Sequence, residues 1–332
     1  MSEKYALHYP VQITNHLWKE DFEPKVSILC RTYMHQPFIR DAIEGFLMQK
    51  TTFKVEILIH DDASTDGTAE IITEYAAKYP QLIKATCQVE NQYRKKPKTD
   101  KYIQPPAPRG KYIAKCEGDD YWTFSLKLQT QIEFLESHPE YTLSCGGYQT
   151  MDENGRIIRT DLKKFPGMDE KGFTFTLKEM TGHWLTKTLT IVYRKGIPEL
   201  KTISSYKYRR DVHVAYHLIK KGKGFYHNIV FGVYRVHKGG VFSSLTKTDK
   251  LDLRYRIYEE LYLKNQDEYT RALFFNAALS LLTFKITRIS RRNYFKENTK
   301  ILLVCIKTFR FRKDYHRFFK NPVRVIKTLF EQ

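Results

Sequence analysis

A chain of 332 residues, 42% apolar and 28% charged, has room for one large folded domain or two ordinary ones, and its composition excludes a disordered polymer. Its formal net charge of +19 points to an anionic partner, whether nucleic acid, an acidic lipid surface or a phosphorylated substrate. Five isolated cysteines, Cys30, Cys87, Cys116, Cys145 and Cys305, form no CxxC pair and no zinc spacing, so they read as reduced thiols of a cytoplasmic protein.

The first twelve residues lack the apolar core of a signal peptide. After them, KVSILCRTY (25–33) reads as a buried strand. PFIRDAIEGFLMQ repeats apolar residues at helical spacing, with Pro37 near the first turn. VEILIHDD (55–62) is a second strand, and STDGTAEIITEYAAKYP a loop and helix with Ser64, Thr65 and Asp66 as candidate caps and Pro80 as the stop. LIKATCQV is a third strand and KYIAKC a fourth. This alternation predicts a parallel sheet covered by helices, with ligands collected beyond the carboxyl ends of its strands. A basic, proline-rich tract at 94–111 reads as a mobile loop. SLKLQTQIEFLESHP is then an amphipathic helix, and YTLSCGGYQTM with its DENG turn a hairpin. Next come a helix over 211–222, a strand around 225–234 and the loop RVHKGGVFS. From about 250 the chain turns helical. The apolar run at 272–284 is too short to span a bilayer, which leaves peripheral membrane association.

The stretch EGDDYW (117–122) crowds Glu117, Asp119 and Asp120, a repulsion that a cation or several donors must offset. Oxygen-only ligation suits Mg2+ or Mn2+, and Gly118 lets the backbone turn closely around such an ion. Acids at strand ends also cap helices or face water, and Asp66 fits that role equally. A twelve-residue calcium loop is absent.

VSILCRTYMHQPFIRDAIEGFLMQ, VEILIHDDASTDGT and GKYIAKCEGDDYW together resemble the family 2 glycosyltransferases of the GT-A fold, strongly over residues 24–145 and more weakly over 209–243. The resemblance implies a Rossmann-like, mainly parallel α/β catalytic domain over 1–245, with a nucleotide-sugar half at 24–122 and an acceptor half at 123–245. Residues 246–332 would follow as a helical, basic extension. It implies that Asp61, Asp62, Ser64, Asp66 and Thr68 occupy the motif that contacts the nucleotide, and that Arg31, Tyr33, Lys115 and Gly118 border the donor, Tyr33 stacking on the base unless it is a core aromatic. Glu117-Gly118-Asp119 matches the metal-binding Asp-x-Asp motif with Glu in first place, so Asp119 is the firmer direct ligand and Glu117 acts through a water. Asp211, at the start of its helix, matches the general base of an inverting displacement; a helix N-terminus favours its ionised form, and a plain cap beside Arg209 or Arg210 is the alternative. Arg210 stands where the family usually carries an acid. Arg235, His237 and Lys238 would face the diphosphate, His237 either joining the metal or remaining structural. Trp122, His183 and Trp184 would face the acceptor, unless they serve packing.

The implied function is metal-dependent transfer from a nucleoside diphosphate sugar, UDP-linked by preference or dTDP-linked, to a saccharide hydroxyl. The acceptor class is a polyprenyl-pyrophosphate-linked saccharide of bacterial surface polysaccharides. The last 48 residues carry 14 Lys and Arg against three acids, interleaved with aromatic residues. That pattern predicts attachment to the anionic inner face of the cytoplasmic membrane, or else a dimerising element. Nucleic-acid binding lacks a recognised motif. A sugar-phosphate nucleotidyltransferase is the enzymatic rival, although its glycine-rich N-terminal loop is missing, and a noncatalytic scaffold is the third reading.

Overall fold

A computed structural model describes residues 7–19, 21–92, 103–165, 167–181, 183–197, 200–240 and 245–286. Cys305, the basic tail from residue 287 on, residues 94–102 of the proline-rich tract and residues 241–243 of the RVHKGGVFS loop therefore lie outside the described residues. The described chain forms two compact units, one drawn from 1–176, 184–199 and 214–239, the other from 177–183, 200–213 and 240 onward.

In chain order the elements are β1 (Val11–Gln12), β2 (Val26–Thr32), α1 (Ile39–Leu47), β3 (Lys50–Thr51), β4 (Val55–Asp61), α2 (Thr68–Lys78) and β5 (Ile83–Cys87). There follow β6 (Tyr112–Lys115), β7 (Tyr121–Trp122), α3 (Lys127–Ser137), β8 (Tyr141–Met151), β9 (Ile157–Asp161) and β10 (Gly172–Phe175). The chain continues through α4 (Leu177–Met180), β11 (Val192–Arg194), α5 (Leu200–Ser204), α6 (Asp211–Lys221), β12 (Lys223–Arg235), α7 (Lys247–Asn265) and α8 (Glu268–Ile286). The apolar runs of β2 and β4 are continuous because helices cover both faces of a parallel sheet: Val26, Ile28, Val55 and Ile57 are all fully buried. Ile39, Ala42, Ile43 and Phe46 on one side of α1 close onto this core.

Among the described residues the main sheet has ten strands, and its spine runs β10-β12-β8-β11-β6-β2-β4-β5. From β6 to β5 every pairing is parallel. Because β2 lies between β4 and β6, the winding reverses beside it, and this is where such sheets open a crevice at their carboxyl ends. The register aligns Thr32 with Asp61 and Leu29 with Lys115. The remaining strands are mixed: β11 is antiparallel to both β6 and β8, whereas β12 is parallel to β8. The short β7 pairs with β12, setting Val233 opposite Tyr121 and Gly232 opposite Trp122. That clip carries the end of β12 back to the turn that follows β6.

The second unit holds α4, α5, the first residues of α6, α7 and α8. Thr246 caps α7 by accepting the Asp249 amide, and Gln266 ends it in the left-handed region at φ 52°. Tyr255 and Tyr262 of α7 pack on Phe274 of α8. Among the described residues no helix is long and apolar enough to cross a membrane.

Candidate active site

Two loops meet at the carboxyl ends of β2 and β4. Three consecutive amides after β2 are each held by a side chain from the loop after β4 or from the first residue of α2. Met34 N–H donates to Ser64 Oγ at 2.8 Å, His35 N–H to Thr68 Oγ1 at 3.0 Å and Gln36 N–H to Asp66 Oδ2 at 3.0 Å. Asp61, fully buried, accepts from the Ser64 amide and hydroxyl. Asp66 also accepts from the Thr68 amide at 3.1 Å. Burial alone would raise the Asp66 pKa, but the bonds from Thr68 and the Gln36 amide outweigh it and hold the carboxyl below its usual range. The N-cap of α2 is Gly67, at φ 95°, rather than Ser64, Thr65 or Asp66; only a residue without Cβ adopts that backbone cheaply. Asp62 points inward, its Oδ1 accepting the Gln92 amide at 2.8 Å.

The turn after β6 approaches β2 so closely that only glycine fits at 118. A Cβ there would stand 2.7 Å from Thr32 Oγ1, and the Gly118 amide donates to Arg31 O at 2.9 Å. Asp120 is 2% exposed and its Oδ1 accepts the Arg235 amide at 3.0 Å. Burial, with Asp119 and Glu117 nearby, pushes its carboxyl well above the ordinary value. Arg235 donates from Nη1 to Asp119 O at 2.9 Å and from Nη2 to Asp41, with its guanidinium over the Tyr121 and Phe38 rings. Drawn into these contacts, Arg235 braces the acid-bearing turn instead of standing free for a diphosphate.

Asp119 Oδ2 receives two imidazoles. His237 Nε2 lies 3.1 Å from it and His35 Nε2 3.7 Å. One ligand-type atom from each of the three residues falls within 4.8 Å of the other two. Burial would raise Asp119, but the hydrogen bond with His237 and the field of His35 prevail and lower it. Burial also lowers the pKa of His35, favouring the neutral ring that a metal requires. One carboxylate with imidazoles is a donor set that fits a divalent cation.

The other expected residues differ in exposure and contacts. Arg31 is exposed at the end of β2 and Tyr33 is 48% exposed just beyond it. Lys115 is half-buried, its ammonium 5.5 Å from the Tyr193 ring centroid. Glu117 is half-buried, and Lys238 is exposed at 3.6 Å from Glu153. Trp122 corrects the expectation of an acceptor contact: it is 1% exposed, donates to Leu189 O at 2.7 Å and packs on Phe46. A ring so enclosed offers no face to a sugar. Trp184 is 40% exposed in the first unit, and His183 is exposed in the second. Asp211 is the half-buried first residue of α6 and belongs to the second unit. His35 and Asp41 were not expected. The signal for His35 was its place in RTYMHQPF, immediately after the first strand and beside the predicted cleft.

The fold and its acid-bearing turns define an α/β domain with its candidate site at the carboxyl ends of the parallel strands. The profile of the family described as Glycosyl transferase family 2 matches residues 27–193, and the chain belongs to that family. An uncharacterized protein of Mycobacterium tuberculosis is 44% identical over 130 residues, 39% of this chain and 37% of that protein; the match thus spans little more than a third of the relative's length. The Escherichia coli UDP-Glc:alpha-D-GlcNAc-diphosphoundecaprenol beta-1,3-glucosyltransferase WfaP is 28% identical over 271 residues, covering 81% of this chain and 98% of WfaP. Among solved structures, S. aureus TarS 1–349 in complex with UDP superposes with a TM-score of 0.56 at 15% identity, over 86% of this chain and 80% of that one. This likeness establishes a shared GT-A fold.

Proposed function

We propose that the chain is an inverting glycosyltransferase of bacterial surface-polysaccharide synthesis. It would move a sugar from a nucleoside diphosphate sugar, UDP-linked by preference, to a hydroxyl of a saccharide carried on polyprenyl pyrophosphate. The observation that carries this reading is the meeting of Asp119 and His237, 118 residues apart in the chain, at 3.1 Å beyond the carboxyl ends of the parallel strands. WfaP, by its name, glucosylates a diphosphoundecaprenol-linked sugar, and TarS has been solved with UDP and with UDP-GlcNAc; both support the substrate class.

Asp119 and His237 are the residues that would hold Mg2+ or Mn2+, which when bound would offset charge on the departing nucleoside diphosphate. Tyr33 and Arg31, exposed at the end of β2, are suited to base and phosphate. Lys238 offers a cation to the same anion, Trp184 an aromatic face to the acceptor, and His183 a polar contact to it. Asp211 takes the acceptor's hydroxyl proton as that oxygen bonds to the anomeric carbon and the sugar–phosphate bond breaks on the opposite face. The basic tail would keep the enzyme at the inner membrane surface, where its lipid-linked acceptor resides.

Purified protein incubated with Mn2+ and a panel of nucleotide sugars should release nucleoside diphosphate from one of them. Asp211→Asn should retain donor binding and lose transfer by about a hundredfold or more, the scale of general-base catalysis. Full turnover in that variant would remove Asp211 from the mechanism.

A further inference from the structure

We propose that His35 is a third protein ligand of the cation, so that the site is two imidazoles and one carboxylate contributed by three separate chain segments. The inference rests on the metal-dependent reading above but concerns which residues bind the ion. His35 is distant in sequence from both the acidic turn and the end of β12, yet its Nε2 is aimed at the same Asp119 oxygen that His237 meets. At 3.7 Å the separation from Asp119 is too long for a hydrogen bond. Nδ1 is shut off from solvent with no hydrogen-bond partner among the described residues. The ring is half-buried, and the nitrogen that a ligand bond would use is Nε2, the one that faces Asp119.

The spacing agrees with a shared ion. Two donors each about 2.1 Å from one cation stand roughly 3–4 Å apart, and the two separations from Asp119 are 3.1 and 3.7 Å. The position of His35 is imposed rather than incidental. Its amide and those of both neighbours are held by Thr68, Ser64 and Asp66, so the acidic loop after β4 fixes the backbone that carries the ligand. Phe38 packs 4.7 Å from the His237 ring and walls one side of the cluster. Imidazole is a better donor for Mn2+ or Co2+ than for Mg2+, which prefers oxygen. A site with two imidazoles should therefore bind Mn2+ more tightly than Mg2+.

The test is Mn2+ binding to the full chain without donor, followed by electron paramagnetic resonance, with Mg2+ as competitor. Wild-type protein should bind Mn2+ and show nitrogen couplings from two imidazoles. His35→Ala and His237→Ala should each leave one imidazole coupling and weaken Mn2+ binding by about tenfold or more, with unchanged circular dichroism. A single coupling in the wild type, or no Mn2+ binding, overturns the inference without need of any variant. Unaltered Mn2+ affinity in a folded His35→Ala does the same. These readouts are independent of sugar transfer: two imidazoles on bound Mn2+ in a protein that releases no nucleoside diphosphate would sink the functional reading and leave the ligand set standing.

Discussion

Lys127, at the start of α3, is a fully buried lysine. Its ammonium donates to Gln131 Oε1 at 2.8 Å and lies 4.2 Å from the Trp122 ring centroid. Among the described residues no carboxylate pairs with it closely, and burial pulls its pKa down to about 7. The unfolded chain then binds a proton that the folded chain lacks between about pH 7 and the ordinary lysine value near 10.5. Stability contributed at this position should rise with pH across that window and be lowest at and below pH 7. Lys127→Met should flatten that slope and raise stability at pH 7 by roughly 2 kcal/mol, after loss of the Gln131 bond and the ring contact. Urea unfolding at several pH values measures both. In the sequence Lys127 reads only as the polar face of an amphipathic helix. Its burial arises because β7 brings Trp122 over that face.

The loop joining β4 to α2 acts as an element rather than as a set of independent ligands. D-D-A-S-T-D-G-T was legible as a functional motif, and the β-α-β order placed it at a sheet end. What each side chain does was not legible, because three of its oxygens accept amides from a different loop thirty or so positions earlier. Asp66→Ala should release the Gln36 and Thr68 amides and cost about 1–3 kcal/mol, read as a lowered melting temperature. If the loop serves to seat His35, the same variant should also weaken Mn2+ binding in titrations, although Asp66 does not join the three-residue cluster. The turn at 117–120 behaves similarly. Gly118→Ala would press a methyl into Thr32 and should destabilise the protein by about 1–3 kcal/mol, measured by the same unfolding assay.

For the molecule as a whole, charge and topology act at different ranges. The net charge of +19 predicts sedimentation of the full chain with phosphatidylglycerol vesicles at about 0.1 M salt, and release as salt rises and the Debye length shrinks. Retention on neutral phosphatidylcholine alone, independent of salt, would contradict a charge-driven attachment. The sequence by itself determined the parallel half of the sheet, the glycosyltransferase family and the acidic turns at strand ends, because runs, periods and short motifs are local properties of the chain. Only the tertiary structure decided that Trp122 is core, that Arg235 is a brace and that His35 and His237 converge on one oxygen of Asp119. Those facts depend on strand pairing between distant segments, above all the register of β7 on β12, and no local pattern encodes which surface a side chain meets once such strands pair.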